Sequence, residues 1–219
     1  MNSSELPQRM AHMYDAEAER YEANIGHSLG TVAEQEAWQN DLRSVADLAA
    51  DSRVLEVGAG TGTLTRLLAT WGCRVVGLEI SAAMLAQATQ GLPAHVEFRL
   101  GDTHQADLFP AASFDWLISR HVVSHLYDPL RAFQNWAVWL RPQGQALVVE
   151  GFWPRADWED LADQLPLSCL QTRATIGYLL EQAGFVIQAN RWLEQVNAYW
   201  EAREAGAPPR YVIVARRGS

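Results

Sequence analysis

The stretch Val54-Leu-Glu-Val-Gly-Ala-Gly-Thr-Gly-Thr-Leu-Thr65 sets three glycines, Gly58, Gly60 and Gly62, between a short apolar run and a helical pattern. Glycines there permit positive φ and remove the Cβ atoms that would keep a ligand away from the backbone. The N–H groups and positive dipole end of a helix opening near Thr63 favour an anionic group. The spacing is G-x-G-x-G, one residue shorter than the dinucleotide fingerprint. Glu56, two positions before the first glycine, would repel a pyrophosphate but can hold an ammonium, directly or through water. The turn suits a zwitterionic amino-acid tail better than a diphosphate.

Two further acids follow at strand ends. Glu79 closes the run Val75-Val-Gly-Leu78, where a carboxylate can accept both hydroxyls of a ribose. Gly101-Asp102 follows Val96-Glu-Phe98, where a carboxylate and turn backbone can read an adenine amino group. Each alone is equally a structural turn, a solvated loop acid or a helix cap. Their order along one alternating pattern joins them into one site. His121 and His125 lie four apart in Ser119-Arg-His-Val-Val-Ser-His-Leu-Tyr-Asp128, share a face on a helical turn, and titrate near working pH. Each is either a general base or a packed wall residue. Their spacing is that of H-E-x-x-H without its Glu or a third ligand, so no metal is expected.

The elements that must position these residues alternate. Short apolar runs at Val54–Val57, Arg74–Leu78, Val96–Phe98, Phe114–Ile118 and Gln145–Val149 are separated by helical stretches, which predicts a parallel sheet with helices on both faces. Residues 1–50 read as helical throughout, with Met10, Met13, Tyr14, Ala18 and Tyr21 on one face and a second helix over Ala33–Ala50. Residues 51–150 form the core, 151–175 a candidate cap with an acidic helical stretch over Asp157–Leu165, and 176–219 complete the sheet. The closing runs Phe185–Ile187 and Tyr211–Ala215 have no clear apolar helix between them, and Pro208-Pro209 breaks the connection. A hairpin-like antiparallel end is the economical reading.

Composition narrows the chemistry. The chain has 219 residues, 48% hydrophobic and 20% charged, enough for one full core. Its formal net charge of −9 repels nucleic acid and anionic lipid. All 17 basic residues are Arg. There is thus no Lys for a Schiff base, a phosphate loop or a kinase strand. Cys73 and Cys169 are far apart and form no redox or metal motif, and no apolar stretch approaches membrane-span length. A reduced, cytoplasmic protein is the expectation.

The chain resembles the class I S-adenosylmethionine-dependent methyltransferases over about residues 40–150, on Glu56-Val-Gly-Ala-Gly-Thr-Gly62, Gly77-Leu-Glu-Ile-Ser81 with Met84, Gly101-Asp102, Phe114-Asp-Trp-Leu-Ile-Ser119 and Leu140-Arg-Pro-Gln-Gly144. Gln143 departs from the usual Gly in the last turn. The resemblance implies a Rossmann-like, doubly wound α/β fold with a seven-stranded, mostly parallel sheet, an antiparallel last strand and an N-terminal helical lid. It also implies S-adenosyl-L-methionine as cofactor and S-adenosyl-L-homocysteine as product. Glu56, Gly58, Ala59, Gly60, Thr61 and Gly62 would line the methionine part, Glu79 the ribose, Ile80 and Met84 the adenine, and Gly101, Asp102 and Thr103 its edge. Ser119 and Arg120 would stand at the mouth of the site. A His at position 125 is often only a neighbour of the donor in such proteins.

Tyr14 and Tyr21 either close over the sulfonium from the lid or form the buried stripe of an amphipathic helix. Trp38, Phe152 and Trp153 are candidates for the acceptor wall. The first expectation is O- or N-methylation of a small molecule by in-line displacement, with His125 or His121 as base or orienting group. The alternatives are a non-catalytic cofactor-binding module and a nicotinamide-dependent oxidoreductase. No nucleic-acid or membrane partner is expected, and the oligomeric state is open.

Overall fold

A computed structural model of the chain describes residues 5–23, 27–89, 93–153, 161–168 and 170–218. Seven strands form one sheet: β1 (Arg53–Val57), β2 (Arg74–Glu79), β3 (Val96–Leu100), β4 (Phe114–Arg120), β5 (Leu140–Gly151), β6 (Phe185–Trp192) and β7 (Arg210–Arg217). Their order is β3-β2-β1-β4-β5-β7-β6. β1 to β5 pair in parallel. β7 runs antiparallel to both of its neighbours. This is the class I methyltransferase fold, and the reversed strand is the last one, as the resemblance implies.

Helices α3 (Thr63–Thr70), α4 (Ala82–Ala88), α5 (Pro129–Trp139) and α6 (Arg173–Gln182) join the strands. Their starts follow local chemistry: Ser81, Asp128 and Thr172 each accept an N–H of the first turn of the helix they precede, and Pro129 stands at the first position of α5. One sheet face packs Leu55, Leu117, Val148 and Ile213 under Phe133, Trp136 and Ile176. The other packs Val54, Ile118, Val149 and Val212 under Trp38, Leu42, Leu68 and Val196. Alternate residues of each strand thus feed two cores, as a sheet covered on both faces requires.

Two expectations are corrected. Residues 1–50 are not helical throughout: α1 (Leu6–Glu17) tightens into a 3-10 turn over Ala18–Ala23, and α2 (Val32–Arg43) ends seven positions before Ala50. The closing strands are not a hairpin, because α7 (Glu194–Glu201) lies between them. Only Val196 of that helix is buried, so its apolar signal is too thin to announce it. The acidic stretch over 157–165 lies partly, and Cys169 wholly, outside the described residues; Cys73 is a buried free thiol. Among the described residues no helix is long and apolar enough to cross a membrane, and no group of three or more His, Cys, Asp or Glu is placed to hold a metal.

Candidate active site

The carboxyl ends of β1, β2, β3 and β4 open on one cleft of about 690 Å³, its mouth included. Its floor is the glycine turn. Gly58, Gly60 and Gly62 take φ of 68, 54 and 81°, the left-handed region that a side chain disfavours. The turn is closed on itself rather than open to an anion: the N–H groups of Gly58 and Ala59 donate to the Leu78 carbonyl, and that of Gly62 to the Ala59 carbonyl. The Gly60 N–H donates to Glu79 Oε2 at 2.9 Å. A Cβ on Gly58 would come within 2.3 Å of Val122, so the segment after β4 packs directly on this turn.

Glu79 is clamped from both sides. Its Oε1 accepts the N–H groups of Ile80 and Ser81 at 2.8 and 2.9 Å. Three of the roughly four lone-pair positions of the carboxylate are thereby used, which fixes it without exhausting it. Burial raises its pKa, and the backbone bonds oppose that rise. Beside it, Leu78, Ile80 and Met84 give the cleft an apolar wall.

Asp102 stands across that wall in a compact network. Its Oδ1 is 2.6 Å from His104 Nδ1, and its Oδ2 accepts the Tyr127 hydroxyl at 2.6 Å. The His104 and Tyr127 rings stack at 3.6 Å. Burial alone would raise the Asp102 pKa, but the bonds from His104 and Tyr127 bring it below the usual range. Thr103 lines the cleft, yet its hydroxyl accepts the Trp136 indole N–H at 2.7 Å and its carbonyl accepts Asn135. It is a structural tie to α5.

The opposite wall comes from Arg120 to Tyr127 and from the lid. His121 takes φ of 58° at the end of β4, and its buried Nε2 has no hydrogen-bond partner. Burial lowers the His125 pKa to about 4, and holds His121 well below its ordinary value too, so both rings are neutral near pH 7. Glu150 reaches across from the end of β5: it is fully buried, accepts the Val123 N–H at 2.7 Å and so fixes the turn Val123–His125. The Tyr14 ring meets Tyr21 at 6.4 Å and His125 at 5.8 Å, edge to face. The lid is tied down by Asp15, which accepts the Ser81 hydroxyl at 2.6 Å and the Ala83 N–H at 3.1 Å.

Comparison with known proteins bears on what this cleft is. Residues 55–148 match the family described as methyltransferase domain. The chain is 31% identical over 146 residues to phosphoethanolamine N-methyltransferase 1 of Triticum aestivum, covering 64% of this chain and 29% of that protein. It is 32% identical over 139 residues to a probable S-adenosylmethionine-dependent methyltransferase of Mycolicibacterium smegmatis, covering 62% and 52%. Against the plant relatives it spans only about a third of their length or less. Among solved structures, the [4+2]-cyclase SpnF superposes with a TM-score of 0.74 at 19% identity, over 97% of this chain and 96% of that one. A Haemonchus contortus phosphoethanolamine N-methyltransferase 2, in complex with phosphomonomethylethanolamine and S-adenosylhomocysteine, gives 0.70 at 20%, over 98% and 59%.

The strand ends and the N-terminal helix bring together in the cleft Tyr14, Tyr21, Gly58, Gly60, Glu79, Ile80, Met84, Gly101, Asp102, Thr103, Arg120, His121 and His125. Other expected residues stand outside it. Glu56 lies under the turn, bonded to Thr65, with burial raising its pKa to about 8, so it is a neutral strut near pH 7 rather than a charged hook. Ala59, Thr61, Gly62 and Ser119 shape the backbone without lining the cleft. Trp38 is 1% exposed and belongs to the core under α2. Phe152 is 40% exposed and packs with Trp192 and Tyr211 on the surface. Trp153 misses the cleft itself but meets the His121 ring at 4.6 Å. Met10, His104 and Tyr127 line the cleft without having been expected there. His104 directly follows Thr103, and Tyr127 lies two positions after His125, both already singled out in sequence, and that proximity was the available signal.

Proposed function

We propose that the chain is an S-adenosylmethionine-dependent methyltransferase acting on oxygen or nitrogen of a small-molecule acceptor. The observation that carries this reading is the pre-set Glu79 carboxylate facing, across one cleft, two half-buried neutral histidines. The residues fit the cofactor: a fixed carboxylate for a diol, the apolar Leu78, Ile80 and Met84 for a purine, and tyrosine rings beside a sulfonium. Bound there, S-adenosylmethionine supplies an electrophilic methyl group for in-line transfer. Glu79 would hold the ribose, Ile80 and Met84 would flank the adenine, and Gly58 and Gly60 would admit the methionine part.

The remaining work falls to the chain's own side chains. A buried cleft under a closed lid excludes water and orients the acceptor. His125, neutral because it is desolvated, is in the right form to take a proton from an acceptor hydroxyl or ammonium. Val122 on Gly58 and Glu150 on the Val123 N–H hold that histidine's segment in place. Relatives named as phosphoethanolamine N-methyltransferases support a small acceptor over a polymer.

Calorimetric titration with S-adenosylhomocysteine, and in parallel with NAD and NADP, tests the reading. Binding of S-adenosylhomocysteine alone is expected, weakened in Glu79→Ala by about 1.5–3 kcal/mol, the value of hydrogen bonds to a charged group. Unchanged affinity in Glu79→Ala would remove the ribose assignment, and binding of NAD or NADP instead would overturn the reading. Turnover in an acceptor screen then separates methyl transfer from cofactor binding alone.

A further inference from the structure

On the sheet face covered by α2 and α7, the carboxyl edge carries a second group of charges. Register sets it. Arg120, the last residue of β4, pairs with Val149, and Arg210, the first of β7, pairs with Gly151 on the strand between them. Gly151 leaves a gap there, and the Trp153 ring fills it: a Cβ at Gly151 would meet that ring at 2.7 Å. Arg210 is 3% exposed, its guanidinium 5.4 Å from the Trp153 ring centre and 5.1 Å from that of Trp200. Nη1 donates to the Pro208 carbonyl, but the buried Nε has no partner among the described residues. Against the same indole lies His121, with its own buried, unpartnered Nε2.

The groups facing this cluster are Arg120, His27, His125, Glu34 and Glu204, and the Trp153 indole N–H donates to Glu150 Oε2 at 3.0 Å. Glu34 is a buried carboxylate among them, and its Oε2 accepts the Gly30 N–H. Arg120 lies over Trp38 and donates to the His27 carbonyl. Both guanidinium groups act electrostatically on Glu34, whose Oε1 has no hydrogen-bond partner among the described residues, and Glu204 stands at the exposed rim. A buried cation with an unused donor is costly unless something completes it, and the unpartnered His121 Nε2 lies against the same ring.

We propose that Arg210, Arg120 and His121 Nε2 form a subsite for an anionic group, a carboxylate or a phosphate, carried by the acceptor. That the ligand is the acceptor rests on the methyl-transfer reading; that an anion binds here does not. His121 belongs to both the cleft and the cluster, so an acceptor anchored at this point extends toward the cleft.

The test saturates the full chain with S-adenosylhomocysteine and titrates it with inorganic phosphate and, separately, with acetate at constant ionic strength, reading tryptophan fluorescence. A saturable response is expected, weakened about tenfold or more in Arg210→Met, as loss of a charged hydrogen bond implies. Arg74→Met, an exposed arginine at the other end of the sheet, keeps the wild-type response. The stronger of the two anions identifies the group. A non-saturable response, or one unchanged in Arg210→Met, overturns the subsite. So does a response abolished by S-adenosylhomocysteine, which assigns the cations to the cofactor's own carboxylate. Should Arg210→Met lose its fold, His121→Phe, which keeps a ring and removes Nε2, gives the same comparison. If S-adenosylhomocysteine does not bind at all, the methyl-transfer reading falls, and titration of the ligand-free chain still decides the anion site.

Discussion

His125 shows how one environment sets both the availability and the strength of a base. Desolvation that lowers its pKa to about 4 keeps the ring unprotonated at neutral pH, and the same desolvation makes it a weaker proton acceptor than a free imidazole. If it takes the acceptor's proton, the rate rises with pH through about 4 and is flat across the region where an ordinary histidine titrates. A pH–rate profile of kcat checks this, and an inflection near the usual histidine value would assign the proton to another group. His125→Ala should lower kcat by roughly 10²–10⁴ and leave S-adenosylhomocysteine affinity near wild type. A loss below about threefold would make the ring a wall. Much of this site was legible in sequence, because Glu79, Asp102 and the two histidines stand at strand ends that topology brings to one edge. What spacing does not carry is partnership. Asp102 is engaged by a histidine two positions on and a tyrosine on the segment after β4, and Trp38 faces the core because α2 lies on the sheet.

At the scale of elements, the lid and the ribose acid share a residue. Ser81 donates its N–H to Glu79, accepts the Met84 N–H as the cap of α4, and donates its hydroxyl to Asp15 on α1. The hydroxyl bond is the chief cause of Asp15's lowered pKa, with the Ala83 N–H adding to it. Asp15→Ala removes both bonds, at a cost of about 1 kcal/mol for so open a group. Faster proteolytic cleavage within α1 and a several-fold faster release of S-adenosylhomocysteine are the expected outcomes; unchanged release would mean that the lid does not govern the exit. The alternation of strand and helix fixed the parallel sheet in advance, since burial on both faces writes continuous apolar runs. α7 and the 3-10 turn at Ala18 escaped notice for the opposite reason: a helix with one buried residue and a turn of six write almost no period.

At the scale of the molecule, buried titratable groups pull stability in two directions. Glu56 and Glu150, raised by burial to about 8 and 7, hold protons that the unfolded chain sheds above about 4.5, so the stability they add is lost as pH rises through their folded values. His121 and His125, lowered by burial, do the reverse: their contribution is present above the unfolded value of 6.5 and is lost as pH falls through their folded values, about 4 for His125. The two slopes oppose each other between about 4.5 and 6.5, and above that only the carboxylates remain in play. Thermal melts should therefore show a Tm that falls from about pH 6.5 to 8, and the Glu56→Gln, Glu150→Gln double variant should flatten that fall. A Tm that climbs over the same interval would contradict these assignments.

The position of β7 carries a consequence for how the chain acquires its shape during synthesis. The strand made last is wedged between β5 and β6, with its Tyr211 to Ala215 stretch wholly or almost wholly buried. Until residues 210–217 leave the ribosome, β5 presents an open edge and β6 has no neighbour. The carboxyl end of β5, where Glu150 holds the Val123 N–H, also lacks its flank. A nascent chain that has already folded its glycine turn therefore exposes two pairing edges at once, the condition under which strands recruit the wrong partner. Pulse-chase release of the chain with residues 210–217 still inside the exit tunnel should find it sensitive to protease, and compact only after they emerge.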